Sequence, residues 1–252
     1  MTHVLIATPT AGGVVKSLYA TALVKTVLAI KDTGWDVDFV TVDSAYISKA
    51  RNYFAHLLIN RADFTHLLMV DSDMSFEGHV ICRLLRCDKP VIAAAYSQRR
   101  MDMATFAQAA RKPELSLTDL TALALEYNLQ IEPESGTRQV RVVDGMCRVT
   151  RIALGCSVIR RDAFESLIAG GIVELRPDRF LQKSGFAGPF YDFFGEIRMG
   201  DGDILSEDYS FCKRWCSIPG NEIWALVDEP IGHVGDMVYG APYLKRLLQG
   251  KA

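Results

Sequence analysis

The chain has 252 residues, a formal net charge of −2, 49% hydrophobic residues and 23% charged ones. That is the balance of a folded globular chain with room for one large α/β domain or two small ones, and not of a disordered one. The near-neutral charge, with no dense Lys/Arg stripe, argues against a nucleic-acid binder but leaves room for a nucleotide ligand.

The opening MTHVLIATPT has neither a basic stretch nor a long apolar run, so it does not read as a signal peptide. Leu18 to Ile30 is mainly apolar but is interrupted by Lys25 and is too short to span a bilayer. A cytoplasmic location is the expectation. The six cysteines, Cys82, Cys87, Cys147, Cys156, Cys212 and Cys216, form no CxxC pair. Cys212 and Cys216 sit one helical turn apart, with no matching pair to complete a zinc site. The cysteines read as free, mostly buried thiols.

In chain order, His3 to Ala7 is a short apolar strand running into the turn TPTAGG. Val15, Leu18, Tyr19, Ala22, Leu23 and Ile30 then repeat at helical spacing. DVDFVTV (Asp36 to Val42) alternates as a strand, and Ile47, Ala50, Phe54, Leu57 and Leu58 return to helical spacing. HLLMV (His66 to Val70) is the next strand. A helix over roughly Glu77 to Leu85 and the strand PVIAAAY (Pro90 to Tyr96) follow. Strands and helices alternating in units of this length predict a largely parallel sheet with helices on both faces. Right-handed crossovers then bring the strand C-terminal ends to one edge, where open α/β sheets bind ligands.

Beyond this half the pattern loosens. Leu117 to Tyr127 reads as a helix and EPESGTR as an exposed loop. Arg141 to Phe164 reads as two short strands and a helix capped by Asp162. Arg179 to Ile204, rich in glycine and aromatics, has no clean period and reads as a long functional loop. A helix starts near Ser206. EIWALVDEP is a late strand, IGHVG a turn, and Tyr243 to Leu248 a short terminal helix. No internal repeat or linker divides the chain.

The stretch HLLMVDSDMSF poses the functional question. An apolar strand ends in Asp71 and Asp73, on the ligand edge, with alternate residues pointing the same way. Two such carboxylates repel each other unless a cation lies close by. Mg²⁺ and Mn²⁺ take one or two carboxylates plus substrate phosphates. A solvated loop tip with Asp71 as a helix cap accounts for the pattern equally well.

From here the chain resembles the nucleotide-sugar-dependent glycosyltransferases of the GT-A fold, in a family 2-like pattern. IATPTAGG is similar to their first strand and base-binding loop, and SKARNYFAHLLINRADFTHLLMVDSDM to the Arg-Asn helix followed by the DxD strand. KPVIAAAYSQRR resembles the next core strand, ALGCSVIRRDAFE the acceptor-side loop and helix, LSEDYSFCKRW the xED segment, and IGHVG the segment with the C-terminal metal-binding histidine. The resemblance implies one Rossmann-like α/β domain over 1–252, with a largely parallel mixed sheet. Residues 1–97 would form the nucleotide-binding half and 138–252 the acceptor-side half. It implies Mn²⁺ or Mg²⁺ on Asp73 and His233, with Asp71 beside them. Thr8, Pro9, Asp43, Arg51, Asp71 and Ser72 would bind the donor, a UDP-sugar. Gly155, Cys156 and Glu207 would lie on the acceptor side, and Asp208 would be the base for transfer to a glycan or other hydroxyl acceptor with inversion.

The chemistry gives each role a reason. A divalent ion stabilises the charge on a departing diphosphate as a Lewis acid. A hydroxyl needs a carboxylate to take its proton during attack. Asp208 in the first turn of a helix would be held ionised by the helix dipole. Each residue also has a plainer account. Ser206-Glu207-Asp208 is what a helix start selects, His233 between Gly232 and Gly235 suits a turn, and Asn52 suits the surface. Phe186, Phe190, Tyr191, Phe193 and Phe194 suit either the core or a sugar-stacking platform.

Three rivals remain. DSDMS approaches the nucleophile segment of haloacid-dehalogenase phosphatases, although two strand–helix units precede it and Ser75 departs from their pattern. A sugar nucleotidyltransferase would need a GTR element that PTAGGVVKS lacks. A non-catalytic nucleotide-sugar or glycan-binding module is the third. YLKRLLQGK offers a short basic, aromatic edge for peripheral membrane contact, or a plain surface helix.

Overall fold

Eight strands pair into one mixed sheet in a computed structural model that describes residues 2–133 and 139–250. Most of the expected EPESGTR loop, residues 134–138, lies outside the described residues. The first half contains β1 (His3–Thr10), α1 (Ser17–Asp32), β2 (Asp36–Asp43), α2 (Ile47–Asn60), β3 (His66–Val70), β4 (Met74–Ser75), α3 (Gly78–Arg86), β5 (Val91–Ala94) and β6 (Ser97–Met101). There follow α4 (Met103–Ala109), α5 (Leu117–Ala124), β7 (Leu125–Tyr127), β8 (Leu129–Ile131), β9 (Met146–Ile152), β10 (Cys156–Arg160), α6 (Arg161–Ala169) and α7 (Arg179–Lys183). The chain continues with β11 (Ile197–Arg198), β12 (Ile204–Leu205), α8 (Glu207–Cys216), β13 (Ile223–Leu226), β14 (Gly232–Val234), β15 (Val238–Tyr239) and α9 (Tyr243–Leu248).

The sheet order is β2-β1-β3-β10-β5-β13-β9-β8. β1 runs parallel to β2 and β3, and β5 parallel to β13, whereas β10 and β9 run against their neighbours. The expected largely parallel mixed sheet flanked by helices is what the chain forms. β3 is buried along Leu67 to Val70, as a continuous apolar run in a doubly covered strand should be. One core, with Leu67 and Met69 of β3, joins α2, α6 and α8 to one face; the other, with Leu68 and Val70, joins α1 and α3 to the opposite face.

This order positions the site. The C-terminal ends of β1, β3, β5 and β13 reach one edge. Because β10 is antiparallel to β3, its N-terminal flank, Gly155, comes to the same edge; Asp71 N–H donates to the Gly155 carbonyl at 2.9 Å.

Four local expectations change. The Leu117 to Tyr127 helix stops at Ala124, and Leu125–Tyr127 turns extended to pair with β6. Asp162 does not cap α6, which starts one residue earlier; its carboxylate is held by Arg160 Nε at 3.0 Å. IGHVG is not a simple turn, since Gly232–Val234 is a strand between β4 and β15. The 179–204 stretch contains a short helix capped by Asp178 and a two-stranded hairpin, β11 with β12.

No helix among the described residues is long and apolar enough to cross a membrane. The basic side chains of α9 turn toward their own chain. Arg246 donates to the carbonyls of Leu123 and Leu125, and Lys245 lies 3.3 Å from Asp119.

Candidate active site

Arg51 is 1% exposed, on the buried side of α2. A buried guanidinium must be paired, and this one is surrounded by carboxylates. Its Nε lies 3.1 Å from Asp208 Oδ1 and 3.5 Å from Glu207 Oε1, and its Nη2 lies 3.4 Å from Asp71 Oδ1. Burial alone would lower its pKa, but Asp208, Asp71 and Glu207 outweigh that, so Arg51 stays charged. The sequence-predicted Arg51, Asp71, Glu207 and Asp208 thus meet at one point, drawn from α2, the end of β3 and the start of α8.

Asp208 reaches that point because Ser206 caps α8, accepting from Tyr209 N–H. Its Oδ2 accepts from Leu154 N–H at 3.1 Å. Oδ1 is buried and has no aligned hydrogen-bond donor, its 3.1 Å approach to Arg51 being an ion pair only. The helix dipole does not decide its charge state, contrary to expectation. Burial, against Arg51 and with help from Glu207 and Asp71, pushes its pKa up to about 7. Burial also raises Asp71, with Arg51 opposing.

Gly155 is held in this cluster by close approach. A Cβ there would fall 2.4 Å from both Asp71 Oδ2 and the Tyr96 hydroxyl. Its N–H donates to that hydroxyl at 3.1 Å. Tyr96, which follows β5, was not singled out by the sequence; an aromatic ending an apolar strand reads as core. Its ring is edge-on to His233 at 5.5 Å, so it links two groups of site residues.

The second group centres on Asp73. β14 pairs with β4 so that His233 lies opposite Met74, which places the ring beside Asp73. His233 Nε2 is 3.3 Å from Asp73 Oδ2, and Nδ1–H donates to the Ser97 carbonyl at 2.9 Å. That second contact fixes the tautomer and leaves Nε2 as a lone-pair donor when the ring is neutral. Cis ligands around a six-coordinate Mg²⁺ or Mn²⁺ lie roughly 3 Å apart, given bonds of about 2.1 Å. Asp73 and His233 therefore fit two adjacent positions of such an ion. Arg99 Nη1 approaches the same carboxylate oxygen at 3.3 Å. Burial works against Asp73 ionising, but His233 and Arg99 outweigh it and hold its pKa below the usual range. Burial lowers His233, and Asp73 and the Ser97 carbonyl outweigh that to raise it.

Asp71 is turned to Arg51 and does not complete a metal trio with Asp73 and His233. Among the described residues, the one trio of His, Cys or carboxylate ligand atoms mutually within 4.8 Å is His3, Asp38 and Asp63. It lies at the opposite edge, and Arg61 already pairs with both its carboxylates, 2.7 Å from Asp63 and 3.6 Å from Asp38.

The remaining expected residues are spread along the edge. Thr8 is fully buried, its hydroxyl bonded to that of Tyr19. Pro9 is buried, and Asp43 is exposed at the end of β2. The Ser72 carbonyl accepts from Lys16 N–H at 2.9 Å. Cys156 is buried in the α1/α3-side core, and burial followed by Asp71 pushes its thiol up to about 12, too high for a thiolate role.

Asn52 is not a surface residue. Its Oδ1 accepts from Phe193 N–H at 2.9 Å and Phe194 N–H at 3.2 Å, and its Nδ2 donates to Asp192 at 2.9 Å. Phe193 and Phe194 are core, and Phe186 is edge-on to Tyr53 at 5.3 Å, so these rings form no open stacking platform. Phe190 and Tyr191 line a cavity of about 530 Å³ beside Asn52, with Tyr46, Asp178 and Glu196. A larger cavity of about 930 Å³, around Lys89 and Trp224, touches none of the site residues above.

No protein-family model matches the chain. No curated protein matches it either. Among solved structures it is similar to the crystal structure of A197 from STIV, at 12% identity and a TM-score of 0.47, over 93% of this chain and 87% of that one. The functional reading rests on the residues themselves.

Proposed function

We propose that the chain is a metal-dependent glycosyltransferase of the GT-A type, moving a sugar from a nucleoside-diphosphate sugar, UDP-linked, to a hydroxyl acceptor. The observation that carries this reading is the convergence at one sheet edge of two unlike acidic centres. One is Asp208, buried, with its pKa near 7 and an oxygen without an aligned donor. The other is the Asp73–His233 pair, arranged as adjacent ligands.

Asp73 and His233 would hold Mn²⁺ or Mg²⁺, which would supply Lewis-acid stabilisation of the charge on the leaving diphosphate. Asp208 Oδ1 accepts the proton of the acceptor hydroxyl as its oxygen bonds to the anomeric carbon. The bond from that carbon to the diphosphate breaks on the opposite side, which inverts the centre. A pKa near 7 suits a base that works at neutral pH. Arg51 keeps Asp71, Glu207 and Asp208 in register through the exchange and stays charged throughout.

The test is release of UDP from a panel of UDP-sugars with Mn²⁺ or with EDTA, with and without glycan acceptors. Metal-dependent release, lost in Asp208→Asn while UDP still binds, is expected. Release of inorganic phosphate from simple phosphate esters, with no UDP formed, would replace this reading with the phosphatase.

A further inference from the structure

Asp73 Oδ2 has two nitrogen neighbours at the same distance, His233 Nε2 and the cationic Arg99 Nη1, each at 3.3 Å. They differ in freedom. The His233 ring is held by the Ser97 carbonyl behind it and by Tyr96 at its edge. Arg99, from β6, is half exposed (51%). Its stem lies across Gly235, where a Cβ would come within 3.0 Å of Arg99 Cδ. Among the described residues Asp73 is its one ion-pair partner. Arg51 has no such freedom, being enclosed among three carboxylates.

A divalent cation on Asp73 Oδ2 would compete with the guanidinium for that oxygen, since the two positive charges repel each other. The stem keeps the displaced guanidinium within a side chain's reach of the site. A donor diphosphate brings negative charge that one metal leaves partly uncompensated, and a guanidinium matches phosphate oxygens in a bidentate way. We propose that Arg99 is a charge-exchange residue: it occupies Asp73 until a divalent cation takes that oxygen, and then binds the donor's diphosphate. This rests on the metal and donor of the proposed function and adds a residue to it.

The exchange gives Arg99 opposite effects on the two ligands. Without nucleotide it competes with the metal; with the metal bound it holds the nucleotide. The test titrates Mn²⁺ alone, followed by spin resonance, and UDP at saturating Mn²⁺, followed by calorimetry. Wild type, Arg99→Ala and Arg99→Lys are compared, with melting temperatures showing all three folded. Arg99→Ala is expected to bind Mn²⁺ alone about twofold to fivefold more tightly, the worth of one screened ion pair. It is expected to bind UDP about tenfold more weakly, the worth of a charge-assisted hydrogen bond. Arg99→Lys should fall between on both. Any pattern other than opposite signs, with wild type still binding Mn²⁺ and UDP, overturns the exchange and leaves the transferase reading standing. A wild type that binds no UDP at any Mn²⁺ concentration overturns both.

Discussion

The two halves of the site are built on opposite plans. Around Arg51 everything is enclosed: one guanidinium, three carboxylates from two other elements, and backbone N–H groups or carbonyls from Leu154 and Gly155. Around Asp73 one carboxylate faces a fixed imidazole and a free guanidinium near solvent. The enclosed half can carry chemistry because its charges do not need to reorganise during the reaction. The open half can exchange a charged partner at Arg99, which is half exposed and whose ion pair to Asp73 is weak. Tyr96 touches both, through its hydroxyl and its ring edge.

The largest effect should come from breaking the enclosed half. Arg51→Met leaves Asp71, Glu207 and Asp208 without their cation and should cost about 3–5 kcal/mol in denaturant unfolding at pH 7. The loss should shrink as pH falls and the carboxylates protonate. Asp208→Asn should lower transfer by about 10²–10⁴-fold while UDP binding with Mn²⁺ is kept, which separates the base from the metal pair.

Gly155→Ala forces a methyl against Asp71 and Tyr96 and should cost about 1–3 kcal/mol, read as a lowered melting temperature. The pH dependence sharpens the contrast next. Asp208 must be ionised to act, so kcat/KM should rise with pH on a limb centred near 7 and the limb should vanish in Asp208→Asn. The same raised value has a stability sign. Below about pH 4 Asp208 is neutral in both folded and unfolded chains. As pH rises to about 7 the unfolded chain loses that proton first, so wild type should lose stability relative to Asp208→Asn across this window. Smallest of all, His233→Ala in the open half should barely move the melting temperature but should abolish the effect of Mn²⁺ on UDP affinity.

Much of the scaffold was legible because its central strands β1, β3 and β5 are apolar on both faces and β2 alternates. HLLMV occupies the strand it was expected to occupy, and the placement of Asp71 and Asp73 at its end follows from the sheet topology. Arg51, Glu207 and Asp208 were named from the sequence, but their shared contact was not, since α2 and α8 are far apart in the chain. Short elements were lost for lack of period: Gly232–Val234 is too brief to alternate visibly, so His233 read as a turn residue. Arg99 was not singled out within KPVIAAAYSQRR, and Asn52 was given a surface place. Only the fold reveals that Asn52 holds backbone donors 141 and 142 positions away. The aromatic run was ambiguous by nature, because a phenyl ring suits a core and a sugar equally; packing put Phe193 and Phe194 in the core.

The central claim is that Asp73 and His233 bring a divalent cation to a nucleoside diphosphate. A calorimetric titration of UDP into the protein, with Mn²⁺ and then with EDTA, tests it most directly. The account predicts binding that needs Mn²⁺ and is lost in Asp73→Ala, while Asp208→Asn binds as wild type does. UDP binding that is equal in EDTA, or that survives Asp73→Ala unchanged, would contradict it.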